Sequence, residues 1–404
     1  MPKERYRVLF IATHPVQYQA PIFRLMAQHP RLDIQVAYCS LQGAKLGLDP
    51  EFGIELKWDV PVLEGYKWVN VPNRSPWPGL GRFFGLLNPG LWKLVSRGGY
   101  DAVVTYTGYA YLSFWIALAA AKLHRTPILF GTDATGLEPR SQDHWKVWIK
   151  KVILPVIFRT ATVTIVPSAA SVEYLRSLQI PQDRIVLTPF VVDNDYWTSR
   201  AAQVDRASVR SVWGLRADQP MVLFCAKLQP WKRPQDVLRA FAKAGVPDAF
   251  LIMAGEGPMR AELESEARTL NIAARVKFFG FVNQFDLPAL YRSAEVMVLS
   301  SEYDACPVVV CEAMLCGCPT ILSDKIRGRL ELVRPGETGF IYSCGNTEAL
   351  AKTLRAALAD RPKLKQMGRA AEKLMETWSP RENVEAHVQA IEKAVLMVQK
   401  GTSH

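Results

Sequence analysis

The sequence predicts an α/β protein built from two doubly wound parallel sheets. Short apolar runs alternate with amphipathic helical stretches along most of the chain, the pattern of a parallel sheet covered by helices on both faces. The alternation lapses into a polar, Arg-bearing stretch from Val191 to Gln219, read as the interdomain connection, and then restarts. The 404 residues, 49% hydrophobic and 22% charged, also exceed what one compact core usually holds.

The first unit opens with an apolar strand at Arg7–Ala12, a turn-like loop and an amphipathic helix through Gln28, followed by a strand at Asp33–Cys39. Residues 41–99 are rich in Gly, Pro and Trp and read as an irregular lid or insertion. Alternation resumes with strands at 101–106, 127–132, 161–166 and 184–190, separated by helices at 111–123, 145–159 and 168–178. In the second unit, strands at 221–228, 249–255, 276–282, 296–301 and 319–323 alternate with helices in the same way. A closing helix from Pro380 to Lys400 is long enough to return to the first unit. The expected division is 1–193 as a first Rossmann-like domain, 194–378 as a second and 379–404 as a crossing helix. Two such domains would face a central cleft at the carboxyl ends of their strands.

The net charge of +11, spread over both halves, suggests a negatively charged partner. Nucleic acid fits poorly, because no recognition motif accompanies the charge. Seven cysteines, an odd number placed in expected strands and helices, suit reduced thiols better than disulfides or zinc. Without a secretory run or a span of about 20 apolar residues, the chain is expected in the cytoplasm, with peripheral contact at the inner membrane face. That contact is assigned to residues 140–159. Arg140, Lys146, Lys150, Lys151 and Arg159 there outweigh Asp143, with Trp145 and Trp148 interleaved. The plainer alternative is a helix packed on the sheet with a solvated face.

The most informative stretch is Val296–Ser323, an apolar strand, a loop with Glu302 and Asp304, a helix opened by Pro307 and closed before Gly317, and a second strand. Glu312 is a carboxylate inside that otherwise apolar helix, which calls for a polar partner. Asp304, seven residues and then Glu312-Ala-Met-Leu-Cys-Gly-Cys-Pro319 resemble a motif of the retaining glycosyltransferases of the GT-B fold, family 4, also called glycosyl transferases group 1. LQPWKRPQDVLRAFA after the strand bearing Lys227, AGEGPMR at 254–260, VKFFGFV at 276–282, LYRSAEVMVLSS and PGETGF match further. VPSAASVEYLRSLQIPQDRIVLTPFVVD at 166–193 resembles the last helix and strand before the family's hinge, so the likeness spans roughly 166 to 345 in the expected order.

The resemblance implies α/β GT-B architecture and transfer of a sugar from a nucleoside-diphosphate sugar to an acceptor hydroxyl. Sugar, lipid-linked and polysaccharide acceptors all fit. Lys227 and Lys232 match the family's cation pair for the leaving diphosphate, with Lys in place of Arg at the first position. Solvated surface lysines are the alternative. The resemblance assigns Glu312 to the donor ribose and Asp304, one methylene shorter than the usual Glu, to the transferred sugar. Asp304 also reads as a helix cap, and Glu302 is its rival for the sugar contact. Cys306 and Pro307 stand at the family's amide-donating turn, where Pro307 has no N–H to give. Gly255 allows close backbone approach, and Phe281 and Val282 fall where the family seats the base. In the first unit, His14 lies where relatives have a glycine-rich loop, and Asp133 lies near a cleft histidine of many relatives. Both are assigned to the catalytic side, with structural roles as alternatives. Asp193-Asn194-Asp195 reads as a D-x-D but sits in the hinge and is rejected as a metal site. No metal or other cofactor is expected. Rival functions are a GT-B epimerase or phosphorylase, and a catalytically silent nucleotide-sugar or membrane-surface binding protein.

Overall fold

The computed structural model describes residues 3–49, 52–136 and 144–401. It contains two compact units. The first comprises Met1–Leu46, Pro61–Phe190 and Pro380–His404, and the second Gly47–Val60 and Val191–Ser379.

The first unit is a seven-stranded, all-parallel sheet of β1 (Tyr6–Ala12), β2 (Leu32–Tyr38), β5 (Trp68–Asn70), β6 (Ala102–Thr105), β7 (Ile128–Gly131), β8 (Val163–Val166) and β9 (Ile185–Leu187). Its order is β5-β2-β1-β6-β7-β8-β9, so the direction of winding reverses between β1 and β6. Strands buried on both faces are continuous apolar runs, as in Val8–Ile11 and Ala102–Val104. The helices are α1 (Ala20–Gln28), α2 (Gly90–Arg97), α3 (Leu112–Leu123), α4 (His144–Thr160) and α5 (Ala169–Ser177). The stretch 41–99 is more ordered than its Gly and Pro content suggests, because it supplies edge strand β5 and helix α2. Buried Asn88 organises it, donating to the carbonyls of Cys39 and Val71 while Ser113 Oγ donates to its Oδ1.

The second unit holds a six-stranded parallel sheet of β10 (Met221–Cys225), β11 (Phe250–Ala254), β12 (Val276–Gly280), β13 (Val296–Leu299), β14 (Thr320–Ser323) and β15 (Gly339–Tyr342), in the order β12-β11-β10-β13-β14-β15. Winding reverses between β10 and β13, which pair directly. Around it lie α8 (Pro234–Ala244), α9 (Arg260–Thr269), α10 (Leu287–Ser293), α11 (Val308–Leu315), α12 (Arg329–Leu332), α13 (Thr347–Ala359) and α14 (Arg361–Met375). The small antiparallel hairpin of β3 (Gly47–Asp49) and β4 (Ile54–Leu56) groups with this unit although it precedes β5 in the chain.

The expected irregular connection at 191–219 is instead two capped helices, α6 (Asn194–Ala202) and α7 (Arg206–Val212). Asp193 and Asp205 are their N-caps, each accepting a backbone N–H. The polar composition that resembled a linker has a structural cause. Arg210 is fully buried, donating to Glu295 and to the carbonyls of Ser293, Ala217 and Gln219, and Arg206 and Arg361 meet the same carboxylate. Arg210 is held by that carboxylate and by carbonyls together, so its loss would leave buried acceptors short of donors.

The closing helix α15 (Pro380–Gly401) packs on α1 and on β6, β7, β8 and β9 of the first unit. Buried His387 fixes it, donating from Nδ1 to the Asn383 carbonyl at 2.8 Å and accepting the Tyr106 hydroxyl at Nε2, 2.5 Å away. Burial pushes this imidazole down to about 4, so the ring stays neutral.

Arg210→Ala should destabilise the protein by roughly 3 kcal/mol, the lower end of the cost of breaking a buried ion cluster. Urea denaturation would show a lower midpoint at similar slope; a loss below about 1 kcal/mol would contradict the anchoring role.

Candidate functional site

In an open parallel sheet a ligand binds outside the carboxyl ends of the strands where winding reverses. In the second unit that place lies between the loops leaving β10 and β13. The first loop carries Lys227 and then the single 3-10 turn Pro230–Lys232; the second runs from Ser300 to Pro307. Lys232 Nζ donates to Asp304 Oδ2 at 2.5 Å, so two residues assigned separately from the sequence form one ion pair across the switch point. Their side chains are only 17% and 14% exposed, which strengthens the attraction relative to a surface pair.

Backbone contacts hold both loops in register. Ser300 Oγ donates to the carbonyls of Lys232 and Arg233 at 2.7 and 2.8 Å, and the Glu302 N–H donates to the Trp231 carbonyl at 2.8 Å. On the far side, the Arg327 N–H donates to the Asp304 carbonyl at 2.9 Å. Glu302 pairs with Arg233, which also meets Asp236. Arg233, at φ 50°, is the left-handed residue that ends the turn and starts α8. Pro307 is the N-cap of α11 and no side chain caps that helix, so Asp304 is not a helix-capping acid. Half-buried Cys306 lies beside it. Gly317, at φ 70°, turns the chain after α11.

Glu312 lies on α11, 2% exposed, and accepts the Tyr291 hydroxyl at 2.8 Å and the Gln284 side chain. Tyr291 in turn sits 3.5 Å from Cys225 Sγ and edge-on to Trp197. Burial pushes the Glu312 carboxyl up from 4.5 to about 7, and the two hydrogen bonds oppose that shift.

The glycines of AGEG serve packing. A Cβ on Gly255, at φ 146°, would lie 1.9 Å from the Ala226 carbonyl oxygen, and one on Gly257 would lie 2.5 Å from that of Leu228. Only glycine lets this loop run against the one bearing Lys227. Lys227 Nζ stands 4.8 Å from the centre of the Phe52 ring, and Phe52 meets Phe281 edge-on at 4.9 Å. Trp58 also faces Phe281, while the Asn283 side chain and the Phe285 N–H donate to the Lys57 carbonyl and to Asp59. Residues 47–60 therefore lie beside Lys227 and Phe281, with half-buried Val282 next in sequence.

In the first unit, His14 follows β1 and its Nδ1 is 3.0 Å from Thr13 Oγ1. Asp133 is exposed on the loop after β7, separated from β1 in the sheet by β6. Asp193, the first acid of the D-x-D, accepts the Tyr196 N–H at 3.1 Å as a helix cap. Among the described residues, no group of three or more His, Cys, Asp or Glu side chains has metal-binding geometry.

Sequence reasoning did not single out Phe52, Tyr291, Gln284 or Arg233. Tyr291 lies in the quoted LYRSAE run, but only the packing of α10 on α11 aims it at Glu312. Phe52 had no local signal, since its partners are about 170 to 230 residues away in sequence.

Comparison with known proteins bears on the family and the fold. The family model for glycosyl transferases group 1 matches residues 205–374, and that for the glycosyl transferase 4-like domain matches 22–191. The chain belongs to the glycosyltransferases of GT-B fold and family 4 kind, with two Rossmann-like α/β domains. It is 30% identical to the N-acetyl-alpha-D-glucosaminyl L-malate synthase of Bacillus anthracis over 168 residues, 41% of this chain and 43% of that protein. It is 32% identical to the D-inositol 3-phosphate glycosyltransferase of Mycobacterium bovis over 201 residues, 47% of this chain and 41% of the relative. The matched stretches thus span less than half of either curated relative. The structure of HepE from Anabaena, in complex with UDP and glucose, superposes with a TM-score of 0.73 at 20% identity, covering 95% of this chain and 99% of that one. At that identity the likeness bears on the fold.

An acid whose pKa is raised on folding keeps its proton in the native state where the unfolded chain has lost it, so stability falls as pH rises from about 4.5 through about 7. Glu312→Gln removes that loss. Between about pH 5 and pH 8 the difference in stability should shift toward the variant, by roughly 1 to 3 kcal/mol. Thermal melts across the range test this, and a difference independent of pH would sink the assignment.

Proposed function

We propose that this protein is a retaining glycosyltransferase of hexosyltransferase type, moving a sugar from a nucleoside-diphosphate sugar to an acceptor hydroxyl. The observation that carries the reading is the Lys232–Asp304 pair bridging the loops of β10 and β13 at the switch point. A cation and a carboxylate held together there suit a ligand with an anionic diphosphate joined to a hydroxyl-rich sugar. The bound donor would place phosphate oxygens against Lys232 and Lys227 and sugar hydroxyls against Asp304. Phosphate would then replace the carboxylate as the anionic partner of Lys232, and sugar hydroxyls would replace the ammonium as donors to Asp304, at a site organised before binding.

Glu312 would accept the ribose hydroxyls, as the family resemblance assigns it. The base would lie near Phe281 and Val282, with Gly255 giving the backbone room and Cys306 and Pro307 lining the turn. As the sugar leaves, negative charge grows on the diphosphate, where the two lysines act. Retention follows most economically if a leaving phosphate oxygen takes the acceptor proton on the face from which the donor departs. With Asp304 given to sugar hydroxyls and buried Glu312 to the ribose, the reading needs no carboxylate nucleophile. His14 and Asp133 would orient the acceptor. No metal or other cofactor enters this scheme.

HepE was solved with UDP and with UDP-glucose, so UDP-sugars are the first donors to test. The acceptor we infer is lipid-linked or polysaccharide, reached by a cytoplasmic protein that contacts the inner membrane face peripherally.

Lys232→Ala should remove roughly 1.5 to 3 kcal/mol of transition-state stabilisation, about a 10- to 150-fold fall in kcat/KM with the active nucleotide sugar. Unchanged turnover and donor affinity would contradict the role. Proton NMR of the first-formed product should show the anomeric configuration of the donor; an inverted product would overturn the retaining mechanism.

A further inference from the structure

A helix covering a sheet normally turns its apolar side chains to the core and its polar ones to water. Helix α4 carries apolar side chains on both faces. At 3.6 residues per turn, Leu154, Ile157 and Phe158 share one face and are buried in the core of the first unit. The other face carries Trp148, Ile149, Val152, Ile153 and Val156, which are 70%, 37%, 56%, 48% and 61% exposed. Trp148, Val152 and Val156 form one row four residues apart, and Ile149 and Ile153 form the next. A contiguous apolar stripe of this kind marks a surface that something else covers.

Charge identifies what covers it. His144–Thr160 contains no Asp or Glu, and Lys150, Lys151 and Arg159 stand exposed along it. At its C-terminal end, Arg159, Lys122 and Arg184 line one surface pocket, with Asp183 as its single acid. Arg140 and Asp143, which precede the helix, lie outside the described residues. Among the described residues no helix is long and apolar enough to cross a bilayer. An apolar stripe flanked by cations matches the interface of an anionic bilayer, where acyl chains meet phosphate.

We propose that the exposed face of α4 docks this protein on an anionic phospholipid membrane, with Trp148, Val152 and Val156 entering the interface and Lys150, Lys151 and Arg159 meeting lipid phosphates. The docking is argued from α4 alone. Only its use, bringing the enzyme to a lipid-linked acceptor, rests on the glycosyltransferase reading.

Flotation with vesicles tests it. The full-length protein should float with phosphatidylcholine vesicles containing about one third phosphatidylglycerol, float little with phosphatidylcholine alone, and bind less as salt is raised. The triple substitution Trp148→Ser, Val152→Ser, Val156→Ser should weaken the partition at least about tenfold. Lys150→Glu with Lys151→Glu should remove the preference for anionic lipid. Leu330→Ser, which removes an equally exposed apolar residue from the second unit, should bind like wild type. Circular dichroism and the thermal shift produced by UDP confirm that each variant is folded, and they report on the donor site separately. Absence of vesicle binding, or binding that ignores the α4 substitutions, would overturn the proposal. So would a dimer in solution that the triple substitution dissociates, because the face would then belong to a second copy of the chain.

Discussion

The ion pair between Lys232 and Asp304 is the contact on which the organisation of the second unit's candidate ligand site depends. It joins loops whose strands are adjacent in space but about 70 residues apart in sequence. Doubly wound topology produces that adjacency by sending β11 and β12 to one side of β10 and β13 to the other, leaving the two loop mouths open between them. The Ser300 hydroxyl and main-chain hydrogen bonds of Glu302 and Arg327 fix both loops, so the pair closes without a large cost in ordering. Because both side chains are mostly covered, neither charge would be comfortable alone. The pairing keeps a cation and an anion ready at a place where a ligand carrying both kinds of complement can exchange with them.

Glu312 is the second constraint, of a different kind. Asp304 keeps its charge company with a lysine, whereas Glu312, on an otherwise apolar helix, meets a phenol and an amide from outside it, and its burial raises the cost of ionisation. A carboxyl in that state persists against stability unless a ligand supplies further hydroxyl donors. On the glycosyltransferase reading, a ribose would supply them. Phe52 adds an aromatic contact to Lys227, whose attraction for a ring face is far weaker than for a diphosphate.

Much of this was legible in the sequence because it rests on local rules. The period of apolar residues gave the parallel strands, and Pro307 and Gly317 bracketed α11. The order of motifs from Lys227 to Pro319 placed the candidate donor site in the second unit. The misreadings have physical causes. Arg206 and Arg210 made 191–219 resemble a solvated linker, yet Arg210 is buried against a carboxylate 85 residues away. Gly and Pro in 41–99 hid strand β5 and helix α2, whose stability comes from the sheet edge and from Asn88. Phe52, Tyr291 and Gln284 gained their positions only through tertiary packing. The mixed apolar and basic pattern of α4 was visible in the sequence, but which of its faces is buried was not.

Hydrogen–deuterium exchange in the presence and absence of UDP tests the central claim most directly, because it reports where a nucleotide diphosphate orders the backbone. The account predicts slowed exchange in residues 227–233 and in 302–312, the two loops joined by Lys232 and Asp304 and the helix that carries Glu312. UDP binding that protects other segments and leaves both of these unchanged would contradict it.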